Sequence, residues 1–346
     1  HSYPLPEFTG VSMTDTAAQA GELDVLCVGN SIVDVLTQTD DAMLEKFGMV
    51  KGTMALIDAD QAEALYSQMS PAVETSGGSA GNTAAGLASL DAKCAFIGRV
   101  RDDQLGDIFT HDIRSIGVEY ATPAATDGPP TARCLILITP DAQRTMNTFL
   151  GASVNLGPED IDKDLVARAK VTYLEGYLWD RDEAKAAFLR AAGLAAAKNR
   201  MVSLSLSDPF CVDRHRDSFR EFVAGHVDVL FANEDEIMSL YQVENFDEAL
   251  QHVRQDCRIA ALTRSEKGSV VVSGEEVHVV DAEPVGAVVD TTGAGDQFAA
   301  GFLHGLTRGE DLATCARIGG IAAAEVIAHV GPRPQVKLAD LVVQKL

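Results

Sequence analysis

Short apolar runs alternate with amphipathic stretches along most of this chain. The run LDVLCVGN (23–30) is apolar and ends in Gly-Asn, which is typical of a buried parallel strand. From about residue 170 the pattern becomes regular, and the runs VTYLEG, MVSLSLS, VDVLFAN and RIAALTRS are separated by helical stretches. Repeated strand–helix units of this length predict a doubly wound α/β fold, a mostly parallel sheet with helices on both faces.

The first half of the chain contains further β-like segments that interrupt this series. IVDVLTQ and GTMALID lie within 31–57, and RCLILITPDAQRTMNTFL (133–150) carries a Pro-Asp turn between two β-rich stretches, as in a hairpin. We expect these pieces to form a small β-sheet lid, inserted from about 33–57 and 120–150. The lid would belong to one α/β domain that spans 23–346.

Composition and charge narrow the classes of partner. The formal net charge is −23, which disfavours binding to nucleic acid and to anionic membranes. No apolar run approaches the ~18–20 residues needed to cross a bilayer. The six cysteines form no C-x-x-C pair and are expected to be reduced core thiols of a cytoplasmic protein. Residues 1–12 resemble a purification-tag remnant, with Met13 as the expected native start.

A glycine-rich turn at 290–296, D-T-T-G-A-G-D, leads directly into the apolar helix QFAAGFLHGL. Gly293 and Gly295 lack Cβ atoms, so the backbone amides of the turn can approach a ligand closely. These amides open a helix, where unpaired N–H groups and the helix dipole favour an anion. Asp296 follows in the first helical turn and could accept a proton from a hydroxyl group.

An anion site beside a base is what phosphoryl transfer to a hydroxyl requires. The alternative is an Asp cap on a glycine-rich turn without catalysis, and a bare G-x-G-D would favour it. The longer D-T-T-G-A-G-D motif and its small-residue helix favour the catalytic interpretation.

Several ordered motifs over most of 23–335 resemble the ribokinase-like (PfkB) family of carbohydrate and nucleoside kinases. The C-terminal signature of the family is matched by 290–301, and its N-terminal signature by GGSAGNTAAGLASL and FIGRVRDDQLG. The resemblance implies a ribokinase-like fold, with Asp296 as the base and Gly293, Ala294 and Gly295 as the anion hole.

The same resemblance assigns groups that bind the acceptor. Asp34, Gly77, Gly78 and Asn82 would contact the hydroxyls of a sugar or ribose. Taken alone, Asp34 is also compatible with an ordinary turn carboxylate and Asn82 with a helix cap.

For the nucleotide, the resemblance implies ATP and Mg²⁺. The family's N-x-x-E motif, which organises the water shell of Mg²⁺, is matched by Asn233 and Glu236. Thr263, Ser265 and Gly268 match the strand-and-turn segment under ATP. His329, with Gly331, would border the adenine or a monovalent-cation loop, and a K⁺ site near Asp290 stays open.

The sequence says less about which compound accepts the phosphate. G-N-S-I-V-D (29–34) resembles the opening motif of adenosine kinase-like members, and the amide of Asn30 could hydrogen-bond a purine edge. QRTMNTFLGAS (143–153) resembles the lid segment of those members, which implies that Arg144 reaches the reacting phosphate. We therefore expect a nucleoside acceptor, adenosine, with ribose- or fructose-like sugars as the alternative. Phe149 and Tyr120 are candidates for aromatic contacts to a base.

Two other classes fit less of the sequence. G-G-S-A-G (77–81) matches the nucleophile elbow of α/β-hydrolases, with Ser79 as nucleophile and His329 as partner, but PAVETS before it is short and polar. A non-catalytic nucleoside-binding protein would be expected to lack Asp296. Walker A and G-x-G-x-x-G motifs do not occur in the sequence. The partners expected are a small acceptor and ATP, and both a monomer and a homodimer stay open.

Overall fold

The computed structural model describes residues 22–141 and 143–346. The expectations for a tag at 1–12 and a start at Met13 lie outside the described residues. The strands, in chain order, are β1 (Leu23–Val28), β2 (Ile32–Gln38), β3 (Met54–Leu56), β4 (Val73–Gly77), β5 (Cys94–Ile97), β6 (Glu119–Tyr120), β7 (Ala132–Ile138), β8 (Arg144–Phe149), β9 (Ala169–Glu175), β10 (Met201–Ser205), β11 (Val229–Asn233), β12 (Ile259–Thr263), β13 (Ser269–Ser273) and β14 (Glu276–Val280).

Helices connect most of these strands. The α-helices are α1 (Asp41–Lys46), α2 (Ala59–Tyr66), α3 (Ser79–Ser89), α4 (Gln104–Ser115), α5 (Lys163–Arg168), α6 (Asp182–Ala196), α7 (Pro209–His226), α8 (Glu234–Tyr241), α9 (Phe246–Asp256), α10 (Ala294–Arg308), α11 (Leu312–Val326) and α12 (Leu338–Lys345). Short 3₁₀ turns lie at Gly151–Asn155, Pro158–Asp160, Gly176–Asp180 and Ser265–Lys267. Within 22–141 and 143–346, no helix combines the length and the apolar character needed to cross a membrane.

The large sheet has nine strands in the order β14-β13-β12-β11-β10-β9-β1-β5-β6. Every neighbouring pair from β6 to β12 is parallel, and β13 and β14 add an antiparallel edge. Side chains of β1 alternate between two buried clusters, with Leu26 and Val28 on one face and Val25 and Cys27 on the other. Helices α5–α9 cover the first face, and α3, α4, α10 and α11 cover the second. The predicted doubly wound α/β fold is confirmed.

A second sheet of five strands, in the order β3-β8-β7-β2-β4, lies beside the large one. Strands β2, β3, β7 and β8 fall within the ranges expected for the lid, while β4 lies outside them. The short strand at Glu119–Tyr120, by contrast, pairs with β5 in the large sheet. In β2, Val33 and Val35 are buried in the core, so Asp34 points to the opposite face of this small sheet.

Candidate active site

One large cleft, of about 1100 Å³, lies between the small sheet and the carboxyl ends of the large-sheet strands. Open α/β sheets place their ligand sites at this edge. The predicted site residues that line the cleft are Asp34, Gly78, Asn82, Arg144, Asn233, Glu236, Thr263, Ser265, Gly268, Gly293, Ala294, Gly295 and Asp296. Asn30, Gly77 and His329 are predicted site residues that do not line it.

Asp296 lies in the first turn of α10, where two side chains of α3 hold its carboxylate. Ser79 Oγ donates to Oδ1 at 2.6 Å, and Asn82 Nδ2 donates to Oδ2 at 3.0 Å. Burial raises the pKa of Asp296 to about 6, although both hydrogen bonds favour the ionised form. A carboxylate with a pKa near 6 is ionised at neutral pH and can still take up a proton, as a general base must.

The turn before Asp296 is built around glycine. Gly293 has φ +80°, and a Cβ there would lie 2.6 Å from atoms of Pro332, so both conformation and space require glycine. A Cβ on Gly295 would meet nothing within 4 Å, which leaves open space in front of the helix start. The N–H of Ala294 donates to the carbonyl of Thr291 at 3.2 Å. Of the amides expected in the anion hole, that of Ala294 is therefore already bonded within the turn.

Asp34 faces the cleft from β2. Burial raises its pKa to about 6, opposed by the positive charges of Arg333 and Arg144. Gly77 lies directly behind this carboxylate, because a Cβ on Gly77 would be 2.5 Å from it. Gly77 thus makes room for Asp34 and lies behind it, outside the cleft wall. Gly78, with φ +83°, sends the chain from β4 into α3.

Arg144, on β8, forms an ion pair with Asp290 of the glycine-rich turn, and both side chains are largely buried. The N–H groups of Thr292 and Gly331 also donate to Asp290, at 3.0 and 2.9 Å. Burial alone would raise the pKa of Asp290, but these bonds and the charge of Arg144 hold it below its usual value. In the structure the charge of this carboxylate is balanced by a guanidinium, and the K⁺ site near Asp290 stays a prediction.

The side-chain amide of Asn30 is hydrogen-bonded within the protein. Its Nδ2 donates to Glu175 Oε1 at 2.6 Å, and its Oδ1 accepts from Ser153 Oγ at 2.9 Å. Glu175 is 1% exposed, and Oε2 accepts the N–H groups of Asn30 and Ala80. Both ends of that amide are bonded inside the protein, and the expected contact of Asn30 with a purine edge stays a prediction. The sequence could not reveal the bond to Glu175, since Glu175 is 145 residues away.

Asn233 and Glu236 cap α8 reciprocally. Asn233 Oδ1 accepts from the N–H of Glu236 at 2.8 Å, while Glu236 accepts from both nitrogens of Asn233. Burial raises the pKa of Glu236 to about 7. Mg²⁺ usually keeps several of its waters and takes few protein carboxylates. The pair lines the cleft, so it fits contact to metal-bound water, and no cluster of three or more metal-ligating side chains occurs in 22–141 and 143–346.

His329 does not line the cleft. One ring nitrogen, Nε2, lies 3.2 Å from Glu325 Oε1, and the other, Nδ1, lies 3.3 Å from the Val330 carbonyl oxygen.

Ser79, the nucleophile of the hydrolase alternative, is bonded to Asp296 and not to a histidine. The strand before Ser79, β4, is at the edge of the small sheet and is largely exposed at its start. The hydrolase alternative therefore lacks its nucleophile–base contact.

Sequence reasoning missed part of the cleft wall. Helix α11 contributes a face of small and aliphatic side chains, Ala316, Gly320, Ala323, Ala324 and Ile327, whose spacing is a helical repeat that was readable in the sequence. Tyr177, Phe231 and Phe298 are the aromatic side chains that line the cleft. Tyr120 and Phe149, the candidates for aromatic contacts to a base, do not line the cleft, and Tyr120 packs in the core against Phe96 and Phe109.

Comparisons with known proteins agree with this arrangement. A family model described as pfkB family carbohydrate kinase matches residues 41–338. The adenosine kinase of Saccharomyces cerevisiae is 29% identical over 330 residues, covering 89% of this chain and 96% of the yeast protein.

Two solved structures share more sequence with the chain. The adenosine kinase from Sinorhizobium meliloti is 53% identical, with a TM-score of 0.86 and coverage of 94% of this chain and 100% of that one. A "probable sugar kinase protein" from Rhizobium etli CFN 42 is 52% identical, with a TM-score of 0.86 and coverage of 94% and 99%. With the family model covering most of the sequence, the chain is a kinase and belongs to the pfkB family of carbohydrate kinases.

Proposed function

We propose that this kinase transfers the γ-phosphate of ATP to the primary hydroxyl of a nucleoside, adenosine, giving AMP and ADP. The observation that carries the proposal is the position of Asp296. Its carboxylate, with a pKa of about 6, lies at the start of α10 next to an open glycine turn and faces the same cleft as Asp34.

In this reaction Asp34 accepts hydrogen bonds from the ribose hydroxyls and orients the acceptor. The primary hydroxyl then lies against Asp296, which takes its proton as the acceptor oxygen bonds to the γ-phosphorus. The bond from the γ-phosphorus to the bridging oxygen breaks, and ADP leaves with that oxygen. The amides of the glycine turn, helped by the helix dipole, stabilise the charge on the transferred group.

The nucleotide side of the cleft contains Thr263, Ser265 and Gly268, which we assign to the ATP phosphates and ribose. When present, Mg²⁺ would supply neutralisation of the negative charge on the phosphates. Asn233 and Glu236 would hold its water shell through the carboxylate and amide at the start of α8. Ser265 has φ +51°, a conformation that non-glycine residues rarely adopt and that often marks functional sites.

Arg144 is assigned to the transferred phosphate. In the structure its charge is balanced by Asp290. An incoming γ-phosphate carries more negative charge than a single carboxylate and would compete for the guanidinium, which suits bidentate binding of phosphate. We propose that the small sheet acts as a lid and brings Arg144, on β8, to the reacting group.

Two observations support a nucleoside over a free sugar. The apolar side chains Ile32, Ile136 and Met146 lie on the cleft face of the small sheet with Asp34, which gives a flat base an apolar surface beside a hydroxyl-binding carboxylate. The Sinorhizobium meliloti relative is named an adenosine kinase. The Rhizobium etli relative, named as a sugar kinase, keeps a ribose- or fructose-like acceptor as the second candidate.

The test is a panel of acceptors in an ATP-consumption assay, with adenosine, guanosine, cytidine, ribose and fructose compared at equal concentration. We expect adenosine to give the highest kcat/KM and the product to be AMP by mass spectrometry. Turnover with ribose or fructose but not with adenosine would replace the nucleoside assignment by the sugar alternative. If no compound of the panel receives a phosphoryl group, the role of Asp296 is contradicted.

A further inference from the structure

Arg333 lies in the segment that follows α11 and contacts Asn82, which is part of the cleft wall. Its side chain is 18% exposed, and its three nitrogens contact three different parts of the fold. Nη2 donates to Ser76 Oγ on β4 at 2.8 Å, Nη1 to Asp112 Oδ2 on α4 at 3.2 Å, and Nε to Asn82 Oδ1 on α3 at 3.4 Å. The guanidinium therefore ties the small sheet, two helices and the C-terminal segment together.

Asn82 connects Arg333 to the proposed base, Asp296. An arginine can only donate hydrogen bonds, and an ionised carboxylate can only accept them. Asn82 lies between the two, with Oδ1 toward Arg333 and Nδ2 toward Asp296 Oδ2 at 3.0 Å. Only this orientation of the amide satisfies both neighbours. With the amide reversed, Nδ2 would face the guanidinium and Oδ1 would repel the carboxylate.

We propose that Arg333 is a positioning residue for the catalytic base, holding the Asn82 amide in the orientation that donates to Asp296. This inference rests on the proposed function, in which Asp296 accepts the proton. Arg333 itself does not line the cleft and touches the base only through Asn82. Since Ser76 and Asp112 hold the other end of the guanidinium, contacts within the fold set its orientation.

Arg333 has a second effect, through its charge, on Asp34. Arg333 is the strongest positive influence on Asp34, ahead of Arg144. Lysine could keep this charge, but its single nitrogen cannot bond Ser76, Asp112 and Asn82 at the fixed angles of a guanidinium. The two effects of Arg333, charge near Asp34 and orientation of Asn82, can therefore be separated by substitution.

The test is a double-mutant cycle with Arg333→Met, Asn82→Ala and the double variant, measuring kcat and the KM values of ATP and of the best acceptor in the panel. Arg333→Met should lower kcat about 10- to 100-fold, the range for a misplaced reacting group, and leave the KM of ATP unchanged. In the Asn82→Ala background the same substitution should lower kcat by no more than about twofold, because the contact it acts through is already gone.

Arg333→Lys is the second variant and covers the case in which the Met variant does not fold. It should lower kcat while keeping an acceptor KM close to wild type, since the charge near Asp34 is retained. Arg200→Met is the matched control, because Arg200 also pairs with a carboxylate, Glu22, and a backbone carbonyl, yet lies outside the cleft wall. It should lower the unfolding temperature without changing kcat.

Three results would overturn the inference: wild-type kcat in Arg333→Lys, additive losses of kcat in the cycle, or a parallel rise in the KM of ATP. If the proposed function itself is wrong, Asp296→Asn will keep its turnover, and this result distinguishes the two failures. If Asp296→Asn is inactive and the cycle is additive, Asp296 is the base and only the role of Arg333 is wrong.

Discussion

Replacing Asp296 with asparagine removes the proton acceptor of the proposed reaction and keeps the shape of the side chain. Asn Oδ1 can accept from Asn82 Nδ2, and Asn Nδ2 can donate to Ser79 Oγ, because a hydroxyl both donates and accepts. Both contacts survive, and because burial raises the pKa of this carboxylate from 3.8 to about 6, replacing it with a neutral amide should raise the free energy of unfolding at neutral pH, by on the order of 3 kcal/mol.

The loss should appear in the chemical step. Removing a general base costs about 10²- to 10⁴-fold in kcat, which corresponds to roughly 3–5 kcal/mol of activation free energy. The wild-type enzyme should also lose activity in acid. Because the base works when ionised and its pKa is raised by burial to about 6, kcat should fall as the pH drops through about 6 and level off above it.

The assay is steady-state turnover against pH, with acceptor and nucleotide Kd values measured by calorimetry. The variant should bind both ligands as the wild type does and should lose the acid limb near pH 6. Asp162→Asn is a matched control, because Asp162 caps α5 and does not line the cleft. Its kcat and pH profile should be unchanged. Wild-type turnover in Asp296→Asn would refute the assignment of the base.

Three further predictions test neighbouring parts of the site. Asp34→Asn should raise the acceptor Kd about 10- to 100-fold, the cost of losing hydrogen bonds to a charged group, and an unchanged Kd in calorimetry would contradict the hydroxyl-binding role. Gly293→Ala should lower the unfolding temperature sharply, because φ at this position is +80° and Pro332 fills the space that a Cβ would need. Gly295→Ala should keep the fold and raise the KM of ATP. Equal unfolding temperatures for the two variants would contradict these roles of the two glycines. Burial raises the pKa of Glu175 from 4.5 to about 7, so its ionisation inside the fold costs stability as the pH rises from about 4.5 to 7. Over that pH range, the free energy of unfolding of Glu175→Gln, measured in urea, should rise relative to that of the wild type by on the order of 3 kcal/mol. A difference that does not depend on pH would refute the buried charge.

Local sequence patterns predicted much of the fold. The apolar runs that became β9 to β12 were readable because a strand buried on both faces needs a continuous apolar stretch. Strand β4, with the sequence VETSG, was not predicted, because its polar residues carry little strand signal and only pairing with β2 orders them. The helix α9 between β11 and β12, by contrast, has an amphipathic spacing that is readable in the sequence.

For the site, the sequence by itself determined the chemistry of the glycine turn and the helix start, because glycine conformation, amide direction and an adjacent carboxylate are properties of neighbours along the chain. Tertiary structure decided what that carboxylate touches. Ser79 and Asn82 lie 217 and 214 residues before Asp296, and Arg333 reaches Asn82 across 251 residues. Asn30 matched its motif, but its amide bonds Glu175, which faces the interior. Such partners depend on how strands and helices are ordered in space, and short-range patterns carry no information about that order.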